Sequence, residues 1–153
     1  MTAIPKRVRV QVLLRDHNCC RRCGVHISVR GYSLHHRKGR QGEDANLRSN
    51  LVTLCGSGTT PNGCHAWAHS HPEKAYATGW MVRRLGDDDP AEVPLVDVAG
   101  RVFCLTDEGD VIPWSGDAAF VPGLRGAGVS GVGPSLLGGT GPTQPNQNQG
   151  GSR

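Results

Sequence analysis

The chain sets Cys20-x2-Cys23, His35-His36, Cys55 and Cys64-His65-x3-His69 within one stretch of fifty residues. Thiolates are the ligands of a closed tetrahedral zinc site, and two cysteine pairs about thirty residues apart are the usual way to build one. Cys20 and Cys23 have the standard spacing, whereas Cys55 and Cys64 are separated by eight residues. That insert, Gly56 to Gly63, is rich in Gly, Ser and Thr and can loop out. Cys20, Cys23, Cys55 and Cys64 are therefore the expected structural zinc set. Cys19 forms an alternative pair with Cys23, and Cys104 stands alone in an apolar run, as a buried packing thiol would.

The imidazoles suggest a second centre. His65 and His69 are four residues apart, so on a helix they share a face and can share a metal. His35 and His36 are adjacent, so on a strand their side chains point to opposite faces. One as ligand and one as base is the natural division of labour.

Several elements must position these groups. A helix is expected over 5–16, where Val8, Val10, Val12, Leu13 and Leu14 supply an apolar face and Pro5 suits the first turn, although Val8 to Val12 also alternates as a strand does. Cys20 to Gly24 is a turn. Strands are expected over 31–36 and 51–54, joined by a polar loop over 37–49. Helices follow over 64–70 and 72–78, the second opened by Pro72. Beyond Trp80 the apolar runs 93–98, 101–105 and 111–112, split by Ala99-Gly100 and Glu108-Gly109, predict a small β-meander.

Charge divides the chain the same way. Residues 1–84 carry 14 Lys/Arg against 4 Asp/Glu, a balance of +10; residues 85–122 carry 1 against 9, or −8. Residues 123–153 hold 10 glycines with Pro, Gln, Asn and Ser, a composition expected to be disordered. Three regions follow: 1–84 with the metal ligands, an acidic β-rich extension over 85–122, and a Gly/Pro/Gln-rich tail over 123–153. A basic first half points to a polyanion, with nucleic acid the commonest. Arg37, Lys38 and Arg40 are candidate phosphate contacts. No apolar run is long enough for a membrane span. The N-terminus lacks the apolar core of a secretory signal, so a reducing cytoplasm and thiolate–metal bonds are expected.

The ordered set Cys20-x2-Cys23-Gly24, His35-His36, Asn50-Leu51-Val52-Thr53-Leu54-Cys55 and Cys64-His65-x3-His69 resembles the HNH endonucleases. More narrowly it is similar to small HNH proteins of tailed bacteriophages of actinobacteria. Leu54-Cys55-Gly56-Ser57-Gly58-Thr59-Thr60, Gly63-Cys64-His65-x-Trp67, His71-Pro72 and Gly79-Trp80-x-Val82 carry that closer resemblance. It spans about residues 5–115 and is strongest over 20–82. It implies an α+β chain: a small zinc-stabilised ββα-metal (HNH) nuclease fold, then the acidic meander and the tail.

By the same resemblance His36 is the general base, and His35 takes a position where many relatives have a metal-ligating Asp. Asn50 is the central Asn that fixes the loop and orients the base, and His65 and His69 complete the metal site. His71 lies close enough to replace His69. Asn46 is a nearby alternative to Asn50, but the sequence around Asn50 favours the latter. His17 and His26 match no motif position. The implied activity is metal-dependent hydrolysis of DNA phosphodiesters, with structural zinc and a catalytic Mg2+, Mn2+, Ni2+, Co2+ or Zn2+. DNA is the implied partner, in the host cytoplasm, with the terminase large subunit and portal if the phage resemblance holds. The competing expectation is a zinc-stabilised, non-catalytic DNA-binding or packaging accessory protein.

Overall fold

A computed structural model describes residues 3–57, 59 and 61–116. The expected tail over 123–153 and the end of the acidic extension lie outside them. The described chain is a small mixed α+β domain with four helices and two short sheets.

Helix α1, Lys6–Arg15, follows Pro5, whose fixed φ suits the approach to a helix. Its Val12 is fully buried against Leu34 and Leu51, with Ile4, Val8 and Leu13 alongside. The helix ends where His17 and Asn18 both take left-handed backbone angles (φ 55 and 53). Asp16, at the C-cap, is buried and accepts from Arg15 (2.8 Å) and from the Thr53 amide (2.9 Å). Arg15 also donates to the carbonyls of Arg48 and Leu51, so the end of α1 is stitched to the second strand.

A four-residue helix α2, Ile27–Arg30, leads into strand β1, Tyr32–His36. It pairs antiparallel with β2, Leu51–Cys55, in the register Tyr32↔Cys55, Leu34↔Thr53 and His36↔Leu51. Helices α3, Cys64–Ser70, and α4, Pro72–Ala77, follow. The order from β1 to α3 is strand, strand, helix.

Strands β3 (Leu95–Val96), β4 (Val102–Leu105) and β5 (Val111–Pro113) form the expected meander, in sheet order β3-β4-β5. It does not build a core of its own. Leu95, Phe103 and Leu105 belong to the same buried cluster as Val52, Leu54, Ala68 and Trp80. Trp80 is fully buried, meets Phe103 edge-on, and donates its indole N–H to the Val96 carbonyl at 2.7 Å. This satisfied indole joins the meander to the α3–α4 side of the molecule. Gly79 lets the two approach, because a Cβ there would lie 1.9 Å from the Pro94 carbonyl oxygen.

Candidate metal centres

The sulfurs of Cys20, Cys23, Cys55 and Cys64 all lie within 4.8 Å of one another. Cys20 and Cys23 come from the turn after α1, Cys55 from the end of β2, and Cys64 from the first residue of α3. The long Cys55–Cys64 insert is closed by Gly63 at φ 126, where a Cβ would lie 2.6 Å from the Cys55 carbonyl oxygen. All six cysteines are free thiols. Cys23 and Cys55 sulfurs are 3.8 Å apart, far beyond a disulfide bond. That separation matches the edge of about 3.8 Å that zinc–sulfur bonds of about 2.3 Å give a tetrahedron.

The surroundings fit a bound cation. The Cys64 amide donates to the Cys55 sulfur (3.3 Å), and Arg22, stacked 3.5 Å over Trp67, reaches the Cys64 sulfur at 3.6 Å. Donors aimed at sulfur favour thiolates. Without a cation, the Cys64 thiol and burial together push the Cys20 pKa up, and burial raises that of Cys55. Four crowded sulfurs resist ionising unless a positive ion compensates, so this cluster can hold a metal such as zinc. Cys19 is not part of it. Cys104 is buried in β4, where burial raises its pKa, as suits an inert packing thiol.

A second group forms beside it. The ligand atoms of His35, His65 and His69 lie within 4.8 Å of one another, and their ring centroids are 4.8 to 5.3 Å apart. His35 donates Nε2–H to the Trp80 carbonyl at 3.1 Å, which leaves Nδ1 with the lone pair a metal needs. His65 Nδ1 is buried and has no hydrogen-bond partner among the described residues. Burial first, then the His65 and His69 charges, push the His35 pKa down to about 3. Burial and His69 also lower that of His65, against a Ser57 backbone hydrogen bond. Neutral imidazoles with converging lone pairs are a metal-ready donor set.

His71 stays apart from this group. Its ring stacks on Trp67, and its Nδ1 lies 3.2 Å from the Trp67 carbonyl and 2.9 Å from Ser70 Oγ. Of the two candidates, His69 is the one brought to His35 and His65. His26 caps α2, accepting from the Ser28 amide.

His36 is 8% exposed and is not part of that trio, although it is the next residue of the same strand. Its Nε2 lies 3.2 Å from Asn46 Oδ1, and its Nδ1 is buried without a partner among the described residues. Burial lowers its pKa, the Asn46 contact opposes that, and Arg40 adds to it. Arg40 also lowers the His65 pKa, so the charge of one exposed guanidinium acts on both histidines.

Asn50 makes no hydrogen bond to His36. It accepts from the Lys38 amide (2.7 Å) and donates to the Gly39 and Ala45 carbonyls (3.2 and 2.9 Å), clamping the 37–50 loop shut. Loop fixing thus belongs to Asn50 and contact with His36 to Asn46. The signal for Asn46 was only its proximity in sequence.

Arg37 is a correction. It is 1% exposed and donates to the carbonyls of Gly79, Ser49, Pro90 and Val93, which removes it from any phosphate-binding surface. It lies just past the end of β1, where these four carbonyls surround its guanidinium. Lys38 is half-buried, with Nζ on the Asp88 carbonyl at 2.8 Å; Arg40 is exposed. No described helix is long and apolar enough to cross a membrane. No protein-family model matches the chain, and no curated protein or solved structure matches it either.

Proposed function

We propose that the chain is a divalent-metal-dependent endonuclease of the HNH type, hydrolysing DNA phosphodiesters, with zinc in the four-cysteine site. One observation carries this reading. β1 ends on His35, one of three grouped imidazoles, and His36, a buried histidine with an unpartnered ring nitrogen, while His65 of the trio directly follows Cys64 of the thiol cluster. Cutting a phosphodiester requires a proton acceptor for water and positive charge near the phosphoryl oxygens.

His36 would take the proton from water at Nδ1. His35, Nε2-anchored on the Trp80 carbonyl, would with His65 and His69 hold the divalent ion. When bound, that ion supplies charge stabilisation of the phosphate and the leaving oxygen. Asn50 keeps the loop after His36 closed, and the positive charge of Arg40 acts on both His36 and His65. The ββα order of β1, β2 and α3 is what places these groups together, and it supports a ββα-metal reading of the fold. The exposed Arg40 suits a DNA phosphate. A role in phage genome packaging with terminase and portal rests on the sequence resemblance alone.

The test is plasmid cleavage by wild type and His36→Ala across a divalent-metal panel, with zinc stoichiometry on the same preparations. One tightly held zinc is expected, with cleavage on adding a second ion and its loss in the variant. Binding of DNA with no turnover under any ion would instead identify an accessory protein.

A further inference from the structure

We propose that Asn46 is the positioning residue that sets the tautomer of His36, holding the ring proton on Nε2 and leaving Nδ1 as the lone-pair nitrogen. An amide oxygen carries no hydrogen, so the 3.2 Å contact between Asn46 Oδ1 and His36 Nε2 is a hydrogen bond only if Nε2 is the donor. With the proton on Nδ1, two lone pairs would face each other at that distance. The remaining ring nitrogen is buried and has no partner among the described residues.

The placement of Asn46 is itself held. It ends a short 3-10 turn, Glu43–Asn46, whose Ala45 is buried and whose Ala45 carbonyl accepts from Asn50 Nδ2 at 2.9 Å. The Asn50 amide in turn donates to the Leu47 carbonyl at 3.1 Å. Two asparagines therefore act in series: Asn50 closes the loop, and the closed loop presents Asn46 to the ring. Asn50 does not do both: its side chain bonds Lys38, Gly39 and Ala45, while the bond to the ring comes from Asn46. The catalytic consequence rests on the proposed role of His36, whereas the tautomer assignment does not.

The experiment uses the zinc-loaded full chain labelled with 15N-histidine, read by long-range proton–nitrogen correlation at neutral pH. His36 is assigned by its loss in His36→Gln. Wild type is expected to show the Nε2–H pattern. Asn46→Asp, which keeps an oxygen acceptor, retains it; Asn46→Leu moves His36 wholly or partly to Nδ1–H. Plasmid nicking by Asn46→Leu falls about 10- to 100-fold, the usual cost of losing an orienting partner, with the half-saturating DNA concentration little changed. An Nδ1–H pattern in wild type, or one in Asn46→Leu identical to wild type, overturns the proposal. An Nδ1–H pattern in wild type overturns the proposal even if Asn46→Leu fails to fold, and Asn46→Ala then takes the place of the leucine variant. An Nε2–H spectrum from a protein that nicks under no metal would uphold the tautomer and sink the nuclease reading.

Discussion

Arg37 Nη2 donates to the Val93 carbonyl at 2.6 Å, tying the end of β1 to the segment that enters the meander. The same guanidinium bonds Gly79, Ser49 and Pro90, so one buried cation holds four carbonyls on three separated stretches of backbone. Burial lowers its pKa to about 9, and it still carries its charge at neutral pH. Arg37→Ala would strand those buried carbonyls, and a loss of about 3–5 kcal/mol in urea unfolding of the zinc-loaded protein is expected. A change under about 1 kcal/mol would show that the clamp is dispensable.

Arg40 gives the opposite expectation. It is exposed, so Arg40→Ala should leave unfolding unchanged. DNA affinity at low salt should drop, and the slope of log affinity against log salt should shrink by about one contact. An unchanged slope would remove Arg40 from the proposed DNA contact.

Gly63 keeps the two halves of the thiol cluster in contact. Gly63→Ala adds a Cβ 2.6 Å from the Cys55 carbonyl oxygen at φ 126, a strain of about 1–3 kcal/mol. Zinc should pass to a competing chelator about 10- to 100-fold more readily, with retention equal to wild type counting against this role.

His69 and His71 separate cleanly by metal binding. Cobalt titration followed by visible absorption should lose the second binding event in His69→Ala and keep it in His71→Ala, since only His69 joins His35 and His65. Equal loss in both variants would mean that the trio is wrongly composed.

The metal-free protein should weaken in acid. His35 has a folded pKa of about 3 against an ordinary value of 6.5, so the unfolded chain takes up that proton first as pH falls. Stability is then fully present above about pH 6.5 and drains away towards pH 3. His35→Asn should flatten that part of the curve in chelator-treated samples, and a slope matching wild type would show that the loss arises elsewhere.

Much of the local architecture was written in short-range pattern. Strand alternation separates His35 from His36, four-residue helical spacing joins His65 to His69, and Pro72 opens α4, because backbone geometry sets these over a few residues. The grouping of the four motif cysteines was also legible from residue type and order. What the tertiary structure alone decided was the partner of each loop residue. Arg37 looked like one of three surface cations until folding drove it among carbonyls as far away as Val93. Asn46 rather than Asn50 reached His36 because the 37–50 loop doubles back, and no period in the sequence encodes that turn. The acidic meander likewise joined the main core through Trp80 and Phe103, since apolar area is buried wherever surfaces meet, whatever the charge of the segment around it.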